Sequence, residues 1–119
     1  MILEMVTDFF SAKGYRIVTT RNGMELIKRA SEIFPDIILV DIQMAGIDGF
    51  ETIRMLRANP DPAIASTPII ALTALAMEGD RDKCLQAGAN EYLSKPIGLT
   101  QLVEIINLLL KEHNNKEHG

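Results

Sequence analysis

The stretch Pro35-Asp36-Ile37-Ile38-Leu39-Val40-Asp41 decides the fold. A strand with one wet face alternates apolar and polar residues, whereas a continuous apolar run such as 37–40 needs burial on both faces. Burial on both faces is what a parallel sheet covered by two layers of helices provides. Pro35 breaks the preceding element and Asp41 ends the apolar run abruptly, so the reading places a carboxylate at the carboxyl end of a buried strand.

Working outward, the same alternation of elements recurs. Upstream, Met24 to Phe34 repeats apolar residues at Leu26, Ile27, Ala30 and Ile33 or Phe34, a helical spacing, behind the turn signal Asn22-Gly23. Tyr15 to Thr20 is β-branched and aromatic and reads as a strand. Ile2, Leu3, Val6, Phe9 and Phe10 make residues 2–13 an amphipathic helix stopped by Gly14. Downstream, 45–49 reads as a loop, Phe50 to Leu56 as a helix and Asn59-Pro60-Asp61-Pro62 as a break. Residues 68–73 then form a second buried strand, 78–87 a helix capped by Gly88, and Glu91 to Ser94 a last short strand. Lys95-Pro96 turns the chain into a strongly apolar helix from Thr100 to Lys111. We assign residues 1–112 to one domain and 113–119 to a polar tail, expected to fray.

Composition bounds the function. The chain has 119 residues, 47% apolar and 24% charged, enough for one core and no second domain. Twelve basic against 16 acidic residues, in no long blocks, leave a net charge of −4 and argue against nucleic-acid binding. The longest apolar stretches, near Ile69 to Met77 and Ile105 to Leu110, are too short to span a bilayer, and no signal segment opens the chain, so cytoplasmic residence is expected. The one cysteine, Cys84, lies among helix formers and reads as a small buried hydrophobe. His113 and His118 read as tail residues, without the helical neighbours of a phosphotransfer histidine.

In parallel sheets chemistry gathers at the carboxyl ends of the strands. Three successive strands here end in Asp41, Thr73 and Lys95: a carboxylate, a hydroxyl and an ammonium. A carboxylate can act as nucleophile toward a phosphoryl group while a hydroxyl and an ammonium bind the oxygens of the product. The joint placement favours this reading over a structural Asp–Lys pair.

These residues stand in segments that resemble the receiver domains of two-component response regulators over nearly the whole chain. Asp-Ile-Gln-Met-Ala-Gly-Ile-Asp-Gly at 41–49 resembles the phospho-acceptor loop, Ala71-Leu72-Thr73-Ala74 the hydroxyl-bearing strand end, and 88–96 the lysine segment. The resemblance implies a flavodoxin-like fold and Asp41 as phospho-acceptor. It also implies Thr73 and Lys95 as phosphoryl contacts, Tyr92 as an aromatic switch and Pro96 as a structural residue behind a cis peptide bond. The implied partner is a histidine kinase or phosphotransfer protein, and the chain is a signalling protein, not an enzyme. No output domain follows the receiver-like region, so action through partners is expected.

The sequence departs from that family at its start, where the first strand and its two Mg2+-binding acids are not found. Glu4 and Asp8 sit on the solvated face of the first helix and do not replace them. By resemblance, Asp41 and the backbone carbonyl of Gln43 remain as Mg2+ ligands, a weak set. In the family strand order 2-1-3-4-5 the absent strand is central, so unpaired edges are expected at 15–20 and 36–40. Those edges, and the seven apolar residues spread around 102–110, favour a homo-oligomer with exchanged segments. Two other readings are a pseudo-receiver acting by oligomerisation and protein contact, and a haloacid-dehalogenase-type phosphatase. The phosphatase needs an acid two residues after the nucleophile, where Gln43 stands.

Overall fold

Ile37, Ile38, Leu39 and Val40 are all fully buried, as their unbroken apolar run requires. The computed structural model, which describes residues 2–45, 49–73, 78–94 and 97–118, supplies a helical layer for each face. Its elements are α1 (Ile2–Ala12), β1 (Ile17–Asn22), α2 (Gly23–Ile33), β2 (Ile37–Ala45), α3 (Gly49–Arg57) and α4 (Pro62–Ala65). They continue with β3 (Ile69–Thr73), α5 (Asp80–Ala87), β4 (Glu91–Ser94) and α6 (Leu99–His118). The four strands are parallel and lie in the order β1-β2-β3-β4.

Side chains alternate between the faces of a strand, and the two core clusters divide accordingly. Ile38 and Val40, with Val18, Ile69 and Ala71, pack against Leu26 and Ala30 of α2, Ile53 and Leu56 of α3, and Cys84 and Ala87 of α5. Ile37 and Leu39, with Ile70, Leu72 and Leu93, pack against Val6 and Phe10 of α1 and Leu102, Ile106, Leu109 and Leu110 of α6. Each crossover steps to the next strand in the same direction, and the common right-handedness of such crossovers sends α2, α3 and α5 to one side. The helices outside the crossovers, α1 and α6, cover the other. Each fully buried Leu or Ile contributes about 1.5–3 kcal/mol.

The expected gap in the sheet is closed. β1 pairs directly with β2, from Ile17 opposite Ile37 to Thr20 opposite Val40 and again at Asn22 opposite Ala45. Two buried, unpaired edges would strand backbone N–H and C=O groups, and direct pairing satisfies them. The apolar face of α1 also keeps its seat, with Val6 and Phe10 in one cluster with Ile37 and Leu39. Most of the broad apolar surface of α6 is likewise buried within the chain, although Leu108 is 56% exposed.

Several boundaries differ from the sequence reading: β1 lies two residues later than 15–20 and α5 starts two residues later than 78. β2 runs on through Asp41 to Ala45. Asn59-Pro60-Asp61-Pro62 is a break that starts a helix: the Asp61 side chain accepts from Ala63 N–H at 2.9 Å and Pro62 opens α4. The polar tail continues as helix to His118.

Candidate functional site

The parallel register brings the strand ends to one edge. Asp41 lies opposite Leu72, the residue before Thr73, and Thr73 lies opposite Ser94, the residue before Lys95. Asp41 is half-buried and Thr73 is 1% exposed. Lys95 and Pro96 fall outside the described residues, as does Asp48, read from sequence as a turn former.

Asp41 stands at the mouth of an irregularity in the β1–β2 ladder. The pairing steps from Thr20–Val40 to Asn22–Ala45, so Arg21 alone opposes Asp41, Ile42, Gln43 and Met44. Bulges of this kind re-aim residues beside functional sites. Gly49, at the start of α3, lies directly against this one: a Cβ built there would meet the Ile42 Cα at 2.5 Å and Cδ1 at 2.9 Å. Glycine is therefore required by close approach of backbone to backbone.

Tyr92 sits on β4 opposite Ala71 and packs against the α2/α3/α5 cluster. Its hydroxyl is buried with no hydrogen-bond partner among the described residues. Burial first, then Asp80 and Cys84, push the phenol pKa upward. Tyr92 thus stays a neutral O–H donor without an acceptor among the described residues. Burial, and then Asp80, push the Cys84 thiol up to about 11, which makes it inert as a nucleophile at neutral pH.

Two structural residues escaped the sequence reading. Asn22 ends β1 and caps α2, its side chain accepting from Met24 N–H at 2.9 Å and Glu25 N–H at 3.2 Å. Arg57, at the end of α3, donates through Nε to Gly88 O at 2.8 Å and through Nη1 to Ala65 O at 2.9 Å and Thr67 O at 2.6 Å. Its Nη2 donates to Asn90 Oδ1 at 2.7 Å. Burial lowers the Arg57 pKa, and these four acceptors are carbonyl and carboxamide oxygens, none of them a carboxylate. The turn signal at Asn22-Gly23 could have been read as a cap; nothing in the spacing around Arg57 announces its partners.

The donors do not fit a divalent cation well. Among the described residues no three His, Cys, Asp or Glu side chains come together. Beside Asp41 the end of β1 offers Thr20, Arg21 and Asn22, none of them a carboxylate. Hard cations want several oxygen ligands, so Asp41 with one carbonyl is a poor set. Among the described residues no helix is long and apolar enough to cross a membrane.

The chain is similar to known proteins over most of its length. It is 38% identical over 108 residues to the polar-differentiation response regulator DivK of Brucella anthropi, covering 91% of this chain and 86% of that protein. The receiver domain of the sensor histidine kinase PA1611 of Pseudomonas aeruginosa, solved with a magnesium ion coordinated in its active site cleft, is 34% identical. It superposes with a TM-score of 0.75 over 92% of this chain and 86% of that one. A CheY-like receiver domain protein of Methanospirillum hungatei shares the fold, with a TM-score of 0.80 at 23% identity, over 97% of this chain and 89% of that one. The family described as the response regulator receiver domain matches residues 1–107, and with the parallel sheet already described, the chain belongs to that family and to two-component signalling.

Proposed function

We propose that this receiver domain accepts a phosphoryl group on Asp41 from a histidine kinase or phosphotransfer protein and passes the signal on by protein contact, in the cytoplasm. The observation that carries this is the register: Asp41 next to the row of Thr73, and Thr73 next to the row that leads to Lys95. A carboxylate oxygen of Asp41 attacks phosphorus. The bond from phosphorus to the donor's imidazole nitrogen breaks, and the leaving imidazole keeps the electron pair. The Thr73 hydroxyl and the Lys95 ammonium then bind the new phosphoryl oxygens. Tyr92 suits a switch because its buried hydroxyl has no partner among the described residues and gains by moving to an acceptor. A magnesium ion, as held by the Pseudomonas neighbour, would meet here Asp41 and the Gln43 carbonyl, a poor set for a hard cation.

The haloacid-dehalogenase reading is set aside by the family match. Phosphorylation-independent action by self-association keeps one observation in its favour: Met5 and Phe9 of α1 are 55% and 44% exposed. Intact mass after incubation with acetyl phosphate tests both. A gain of one phosphoryl group, absent in Asp41→Asn, is the expected result. No gain in folded protein that light scattering shows to be oligomeric would select the second reading.

A further inference from the structure

Resting on the reading of Asp41 as phospho-acceptor, we infer that α3 is a connecting rod: both its ends are seated so closely that a change beside Asp41 is passed along the helix to the segment that feeds Tyr92 into β4. At its first residue α3 has no slack. Gly49 lies against the backbone of Ile42, the residue after Asp41, with no room between them for a Cβ. At its last residue α3 is tied off by Arg57, which donates to Ala65 O and Thr67 O before β3 and to Gly88 O and Asn90 Oδ1 before β4. Gly88 in turn sits against the Arg57 stem, where a Cβ would meet Arg57 Cγ at 2.5 Å. Between the two ends run nine residues of α-helix, about 13 Å at the usual rise.

Close-packed interiors hand strain on, and the flank of α3 has no void in which to lose it, since Thr52, Ile53 and Leu56 are all fully buried. Phosphorylation adds bulk and charge next to Ile42. A displacement of the Ile42 backbone meets Gly49 and moves α3 as a body. At the far end the Arg57 guanidinium carries that movement to Asn90, whose Oδ1 also accepts from Ile69 N–H and whose own N–H donates to Ile69 O. Tyr92 follows two residues later, with a buried hydroxyl that has no acceptor among the described residues and gains by moving to one. Arg57 is thus a positioning residue for β4, remote from the chemistry on Asp41.

The test is a double-mutant cycle on the full chain, read by amide chemical shifts in Gly49→Ala, Arg57→Lys and the two combined. Ile42→Val, which trims the Cδ1 that meets Gly49, replaces Gly49→Ala as the stimulus if that variant does not fold. Gly49→Ala should shift the Asn90 and Tyr92 amides, and Arg57→Lys should cut that shift by about half or more while leaving the shift at Ile42 in place. Equal shifts at Asn90 and Tyr92 in both backgrounds overturn the link, as does no shift at either. The same amides are then followed after treatment with acetyl phosphate, where an Asp41 oxygen forms the O–P bond, the acyl O–P bond breaks and acetate leaves with the electron pair. Intact mass measures the labelling. In labelled chains Asn90 and Tyr92 should move with Arg57 in place and lose most of that movement in Arg57→Lys; movement indifferent to Arg57 overturns α3 as the carrier and leaves Asp41 as acceptor. If no mass is gained, the phospho-acceptor reading fails, and the Gly49→Ala cycle alone decides the link.

Discussion

The two edges of the sheet are built on opposite principles. At the amino edge, where the strands begin, backbone and side chains are laced together. Asp36 N–H donates to Arg16 O at 2.8 Å, Arg16 N–H donates to the Asp36 carboxylate at 2.8 Å, and Ile38 N–H donates to Pro68 O. Asn90 Oδ1 accepts from Ile69 N–H at 2.9 Å and from Arg57, which also gathers three carbonyls. At the carboxyl edge the ladder is broken by the bulge beside Asp41, and on β4 the buried Tyr92 hydroxyl has no acceptor among the described residues. The contrast sets an edge tied by a network of side-chain and backbone hydrogen bonds against one where the strand ladder itself is interrupted.

The contrast is breakable. Arg57→Ala should have the largest effect, because three carbonyls and the Asn90 oxygen lose a donor at once. A loss of about 3 kcal/mol or more in urea unfolding is expected, with Arg57→Lys restoring less than half because an ammonium lacks the planar fork. A cost below about 1 kcal/mol would mean that the amino edge is not what holds the fold. Gly49→Ala should cost about 2 kcal/mol, since its Cβ must displace the Ile42 backbone, and it should reduce acetyl phosphate labelling more than stability alone explains. Equal loss of labelling in Arg57→Ala, measured below its unfolding transition, would erase the division between edges.

The smallest effects lie around Tyr92. Tyr92→Phe removes a buried hydroxyl that has no partner among the described residues, so the expected change in stability is within about 1 kcal/mol and of stabilising sign. Alkaline pH gives the same region a second readout. Cys84 keeps its proton in the folded chain from its ordinary value of 9.0 up to about 11, while the unfolded chain loses it. The folded state then binds more protons, so stability falls as pH rises through that window, and Tyr92 adds a fall of the same sign above 10.0. Thermal unfolding of wild type and Cys84→Val across the window checks this; the variant should lose less.

Much of this architecture was legible because it is local. The run at 37–40 and the helical spacings of 2–13 and 24–34 carry their own periodicity, and each became the element it suggested. Pairing between strands is not local. The reading of two unpaired edges took the family's strand order as fixed, whereas the chain satisfies its backbone by joining β1 to β2. Arg57 was hidden for a related reason: it closes a helix with an ordinary polar position, and its acceptors include Gly88 and Asn90, far along the chain. Of the proposed site, Asp41 and Thr73 are singled out by residue type and strand end, and the register places them in adjoining rows. The bulge was not found, because a register jump leaves no mark in the composition of either strand.

The monotone strand order also bears on how the chain assembles. Each strand pairs with the one formed just before it, so that partners such as Ile17 and Ile37, Ile38 and Ile69, or Ile70 and Glu91 are close in sequence and the sheet can grow from β1 to β4 with only short loops to close. The contact of α1 with α6 joins the first helix of the chain to the last, and it has no such shortcut. Folding should therefore finish on the α1/α6 face, and hydrogen exchange should find that layer opening before the sheet it covers.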